Sequence, residues 1–507
     1  MLFPRKTNAS SNNLFLQPLL IVILLLSAHA LRAQNELDAL RFSEKPLAVH
    51  SRALGMGSAY SAVSEDFGAM QFNPAGLGQI KRFELMLALE NYGFSSNASY
   101  LGNTQTSSAT QTLPSALGLI IPIPTFQGSF VIAFGFQRSN NFTGTQTADA
   151  FNATGSILNS FSNLNPIFDS NFNLQIEDYG GLAWSTYLFD LVGGRYVNEG
   201  TSNRVQQNSK INETGGTNLY NAGFSLEIAP ALFVGLTLNY YNGNYTFNRT
   251  YNETDNTNAV WGFQSLSLVD NFTTQISGWG VKGGFLYRLD ENLRFSFTVE
   301  SPYLYSLSDR FSSELQSNYD FRRVPVFRNG VLFDSTNSSQ DRFEGSFDYT
   351  LRTPFVFGLG FSYEESWMTL AADLRYTNHK ELSYSQDNSP LDDINTVIQN
   401  QLSASYGLAI GLEIRPSEIP FRFRGGYGFD TSPFQFKLSN PNQNSDFGDA
   451  RQRFSLGAGI ILRKTLTLDF AYVYQWQTVE NRFYSGSPII SDKVTQSFLS
   501  LTASFRF

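Results

Sequence analysis

Histidine, cysteine and paired carboxylates are the side chains that could do chemistry here, and the chain is poor in them. It has no cysteine, so neither disulfides nor thiolate chemistry can carry structure or function. Of its three histidines, His29 lies in a segment expected to be removed. A serine hydrolase needs a histidine base placed by a third group, yet neither His50 nor His379 has a nucleophile motif beside it. Two histidines are also too few for a histidine-rich metal site. No catalytic, metal-binding or cofactor-binding residue is therefore assigned, and no cofactor is expected. Lys282, Arg294, Glu300, Asp373, Arg375, Arg422 and Arg424 recur at alternate positions of apolar segments. That placement predicts ion pairs across an interior. If several converge, they could hold a carboxylate head group.

What must position these charges follows from composition and period. Arg5 and Lys6, the apolar run Leu19 to Leu26, and the small-residue sites Ala28-His29-Ala30 and Leu31-Arg32-Ala33 read as a signal peptide over 1–33, cleaved within 30–34. The apolar run is too short for the roughly 20 residues of a spanning helix. Removing Arg5, Lys6 and Arg32, with no acid, takes the net charge from -8 to -11, a balance that argues against nucleic acid as a partner.

The mature chain combines 46 Phe and 24 Tyr with only 15% charged residues, and no later apolar run could span as a helix. Such a chain suits a membrane only if apolar and polar residues alternate, as barrel strands do. The C-terminal stretch FLSLTASFRF alternates in this way, with Leu499, Leu501, Ala503, Phe505 and Phe507 on one face. A terminal aromatic residue after such a strand marks bacterial barrels handed to the barrel-assembly machinery. The same period recurs at 83–89, 113–121, 130–136, 222–228, 232–240, 279–287, 293–299, 355–363, 368–376, 402–414, 421–429, 454–462 and 466–476.

The reading is an all-β, transmembrane antiparallel barrel of about fourteen strands over 81–507, in contact with outer-membrane lipid. Its tight turns face the periplasm. Long external loops are expected at 94–112, 139–216, 246–274, 305–350, 378–400, 430–452 and 478–493, the largest being 139–216. A soluble sandwich or propeller is disfavoured by the short-long alternation of connections, by second-face glycines such as Gly358, Gly360, Gly407 and Gly411, and by the absence of a self-similar repeat.

Residues 34–80 do not alternate. Ala53, Gly55, Gly57, Ala59, Ala62, Gly68 and Ala69 precede the turn Asn73-Pro74-Ala75-Gly76. Small side chains let backbone approach backbone, so the segment reads as an internal plug. In loop 139–216, Leu182, Trp184, Tyr187, Leu188 and Phe189 form an apolar patch, and a second lies at Ile157 to Phe168. The first could capture a greasy ligand, or the two could pack together as a lid core.

The stretch RALGMGSAYSAVSEDFGAMQFNPAGLG resembles the N-terminal hatch of the FadL family of outer-membrane transporters of long-chain fatty acids and other hydrophobic compounds, with Asn73, Pro74 and Ala75 as its motif. SGWGVKGGFLYRLDENLRFSFTVESP (277–302) is similar to a hairpin of the same family. The resemblance implies passive passage of a hydrophobic small molecule from outside into an apolar pocket above the hatch, then sideways through the wall. It also implies an alternative, since PorV-like members serve as docking or shuttle components with a secretion-system partner.

Overall fold

The computed structural model describes residues 35–44, 47–169, 174–198, 204–259, 262–320, 326–328, 331–333, 336–387, 389–435, 447–463 and 465–507. The expected signal peptide lies outside them. Fourteen strands form a closed antiparallel wall. They are β1 (Glu84–Tyr100), β2 (Asn103–Ile123), β3 (Phe130–Asn141), β4 (Val205–Ala229), β5 (Leu232–Thr254), β6 (Phe263–Arg288) and β7 (Leu293–Glu300), followed by β8 (Val356–Glu364), β9 (Met368–Asn378), β10 (Ala404–Ile414), β11 (Phe421–Asp430), β12 (Arg451–Leu462), β13 (Leu466–Arg482) and β14 (Ile489–Arg506). The ring closes where β1 pairs with β14, from Glu84↔Arg506 to Tyr100↔Ile490.

Lipid sets the sidedness of the lower wall. In β5 Leu236 and Leu238 are exposed on the outside, while Thr237 and Asn239 are buried inside. Tyr220, Tyr240 and Trp279 then fall in register on β4, β5 and β6, with the Tyr240 and Trp279 rings 4.5 Å apart. Such a row is an interfacial aromatic belt. Above it the faces exchange character without any slip of register. Asn242, Asn244 and Thr250 point outward, and Tyr241, Tyr245 and Tyr251 are buried within.

This inversion corrects the expected loops. Much of 94–112, 246–274 and 478–493 is strand, as are Gly144–Asn152, Leu304–Asp320 and Thr336–Arg352. Their outward faces meet water rather than hydrocarbon, so Asn, Ser and Thr replace the apolar residues that marked the wall.

The upper wall is not a simple continuation of the ring. Strand β2 pairs with β3 only from Ala116↔Gln137 to Ile123↔Phe130, and above that it stays with β1. Strand β3 follows β4, bulges between Arg138 and Asn140, and continues as Gly144–Asn152 along β4. On the opposite side β7 and β8 break at Pro302 and Pro354 before resuming as Leu304–Asp320 and Thr336–Arg352. Proline cannot donate to the ladder. Hydroxyls help fill the breaks: Val281 N donates to Ser301 Oγ (2.9 Å) and Tyr303 N to Thr353 Oγ1 (2.8 Å).

Candidate functional site: the plugged bore and its chamber

The inner segment docks where the wall lacks side chains. Asn73 is the N-cap of the 3-10 turn Pro74–Gln79: its Oδ1 accepts from Ala75 N at 3.1 Å, and Pro74 takes the first position, where no N–H is needed. Its Nδ2 donates to the Ser61 carbonyl (3.1 Å) and to the Phe285 carbonyl on β6 (3.2 Å). The motif thus closes its own turn and ties the segment to the wall. The wall must be glycine here, since a Cβ on Gly284 would lie 2.0 Å from Asn73 Oδ1 and one on Gly235 2.3 Å from the Pro74 carbonyl carbon.

A second set of contacts is ionic. Arg52, in the helical turn Ser51–Gly55, donates to both oxygens of Glu413 at 3.1 and 3.2 Å. Arg424 donates to Glu413 and to Asp469, each at 2.7 Å. Arg422 stands 3.7 Å from the same Glu413. Asp373 accepts from Tyr60 N (2.9 Å), Ser61 N (2.9 Å) and Ser61 Oγ (2.7 Å). Buried charge is tolerable only when compensated: Arg52, Arg422 and Arg424 face carboxylates, and Asp373 is held by hydrogen bonds alone. Lys282 pairs with Glu300 at 3.7 Å, Arg294 with Glu364, and Arg375 with Asp430 at 2.7 Å. All seven interior charges singled out in the sequence therefore face the bore.

Above this polar zone lies a chamber walled by aromatic rings and, on one side, by charged groups. Helix α1 (Glu36–Ser43), capped by Asn35, projects Ala39 and Phe42 among Phe142, Tyr241, Tyr245, Tyr303, Tyr349 and Tyr384. The Phe42 ring meets Tyr245 edge-on at 5.8 Å, and Tyr384 Oη donates to the Asn35 carbonyl at 3.0 Å. A cavity of about 440 Å³ adjoins the helix, and a smaller one of about 130 Å³ lies on the inner segment at Ser61, Met70 and Phe72. Both are lined by Leu47, Arg375 and Asp430. The size of the larger falls in the range of small-ligand pockets.

His379, in the 378–400 connection expected as an external loop, lies half-buried in the 3-10 turn His379–Glu381 and lines the larger cavity. Its Nε2 is 2.8 Å from Ser405 Oγ. Burial pushes its imidazole down to about 4, so the ring is neutral near pH 7.

The apolar patch of the long loop is folded rather than loose. Helix α2 (Tyr179–Ser185), capped by Asp178, buries Leu182, and Leu188 and Phe189 follow it into the interior. Trp184 and Tyr187 are half-buried. Tyr179 stacks on Phe161 of the other patch at 5.0 Å, and Ser317 Oγ and Tyr319 Oη both donate to the Thr186 carbonyl. Sequence reasoning missed α1 and the cavity acids Glu213 and Asp492. The helix left a signal in Leu37, Leu40 and the Asn35 cap, whereas the acids come from separate strands and left none.

A closed wall of fourteen strands with its own N-terminal segment bound in the bore defines a plugged outer-membrane β-barrel of the transport class. The model of the family described as outer membrane protein transport protein (OMPP1/FadL/TodX) matches residues 186–489, more than half of the 507 residues, and the chain belongs to that family. Among solved structures, a Pseudomonas aeruginosa FadL homologue is similar in fold, at 13% identity over 92% of this chain and 99% of that one, with a TM-score of 0.56. The P. putida toluene transporter TodX is similar at 12% identity over 90% and 97%, with a TM-score of 0.53. No curated protein sequence matches the chain.

Proposed function

We propose that this protein admits hydrophobic small molecules through the outer membrane by passive diffusion, with residues 34–80 as the hatch and 81–507 as the barrel. Cargo enters from outside past the folded cap, where the half-exposed Trp184 and Tyr187 are the capture surface and the buried Leu182, Leu188 and Phe189 are the core that holds them. It rests in the aromatic chamber, gaining about 0.8 kcal/mol per buried methylene. The name of TodX, a toluene transporter, and the FadL likeness point to the same class of cargo.

The observation that carries the route is the parting of β2 from β3 above Ala116 and Gln137, at the level where the outer face changes from Leu117 and Phe136 to Thr112 and Arg138. Going straight down would take an apolar molecule into buried ion pairs. Going sideways delivers it to hydrocarbon. Long-chain fatty acids and monoaromatic hydrocarbons are the two kinds of hydrophobic cargo between which the chamber must choose.

With no native cysteine to interfere, cysteines at Leu113 and Ser139 can be joined by a short bifunctional reagent. Uptake of a labelled hydrophobic compound by cells carrying this barrel should fall by about tenfold on bridging if the exit is there. Unaltered uptake would remove the sideways route.

A further inference from the structure

We infer that the chamber is a charge filter: its wall makes it a binding site for uncharged hydrophobic molecules and turns carboxylates away, with Asp492 and Glu213 as specificity-determining residues. This rests on the uptake reading above and adds the class of cargo.

The charges that line the 440 Å³ cavity do not balance. Its acids are Glu44, Glu213, Asp430, Asp449 and Asp492, and its arginines are Arg41, Arg375 and Arg451. Each arginine is already engaged: Arg451 with Glu44, Arg375 with Asp430 at 2.7 Å, and Arg41 with Asp38 and with Glu213 at 3.3 Å. His379 offers no compensating charge, because burial keeps it neutral.

Asp492 is a cavity carboxylate held by neutral donors alone. Its Oδ2 accepts from two neutral donors, Ser96 Oγ at 2.7 Å and Gln146 Nε2 at 2.8 Å. Among the described residues no basic group stands within ion-pair distance of it. The rest of the lining includes Leu40, Phe94, Phe142 and Phe434.

An anionic head group brought into this space would lose its water. It would meet carboxylates and find no uncommitted guanidinium. An uncharged molecule of the same length loses nothing to charge and keeps the whole apolar gain. A hydrophobic carboxylate and the matching alcohol should therefore part company here, although their chains are alike.

The test compares 1-decanol with decanoate at pH 8, each titrated against the full-length protein in detergent. Wild type should bind decanol more tightly than decanoate by about tenfold or more, because like charges set side by side are costly. In Asp492→Asn, and separately in Glu213→Gln, the affinity for decanoate relative to decanol should rise several-fold. Heat-modifiable migration on a gel reports that each variant is folded. Equal binding of the two by wild type would overturn the filter and leave the uptake reading standing, as would a preference that neither variant alters. Binding of neither compound would take down the uptake reading, and the filter with it.

Discussion

Below the belt of Tyr220, Tyr240 and Trp279 the barrel is apolar outside and polar inside, whereas above it the two are exchanged. On β4, β5 and β6 the same strands make both halves and pass the belt without a shift of register, so the backbone does not cause the difference there. The surroundings do. Hydrocarbon outside the lower wall demands Leu236 and Leu238 there, which leaves Thr237, Asn239 and the ion pairs for the bore. Water outside the upper wall lets Asn242 and Asn244 face out and frees Tyr241 and Tyr245 to build an apolar interior. One half holds paired charges around the inner segment, and the other encloses a cluster of aromatic rings beside the larger cavity.

The sharpest way to break this contrast is to place the same charge on the outer face of each half of β5. Leu236→Arg should destabilise the barrel by roughly 2–4 kcal/mol if that side chain lies near the bilayer midplane. Thr250→Arg, exposed above the belt, should stay within about 0.5 kcal/mol. Folding titrations in lipid vesicles check both. Equal costs would mean that the belt does not mark the membrane boundary.

A smaller effect concerns the container. Asp309, wholly buried on the inner face of Leu304–Asp320, is pushed up to about 7 by burial, with the nearby Asp38 of α1 and Asp348 adding to the rise. Asp38 itself rises to about 6, chiefly by burial and further through Glu213 and Glu36, against the pull of Arg41. A carboxyl raised in the folded state binds its proton more tightly there than in the released one. The seat of α1 is accordingly firm in acid and loosens as pH climbs from the ordinary carboxylate range to about 7. Protection of the Glu36–Ser43 amides from hydrogen exchange, taken relative to the intrinsic rate at each pH, should be greater at pH 5 than at pH 8. The expected difference is about tenfold, corresponding to about 1.4 kcal/mol, and Asp309→Asn should flatten it. Protection that grows with rising pH would contradict the sign.

All fourteen wall strands were legible because outward Leu, Phe and Tyr alternate with small or polar partners against lipid. The upper strands were not, although their alternation is equally regular, because Asn and Thr on the water side read as loop. The Asn73-Pro74-Ala75 motif was legible as a turn at the end of the plug. Its tie to the Phe285 carbonyl was not, since that depends on glycines of β5 and β6 meeting it in space. The cavity acids Glu213, Asp430 and Asp492 are scattered over β4, β11 and β14 and become neighbours only when the ring closes.

The account stands on cargo leaving without passing the hatch. Ser61 of the inner segment and Ser296 of β7 hold their hydroxyls 2.9 Å apart, so cysteines at both positions would lock the hatch to the wall when oxidised. Uptake of a labelled hydrophobic compound should run at the same rate in the oxidised and the reduced barrel. If oxidation stops uptake and reduction restores it, the cargo goes through the bore and the sideways route is wrong.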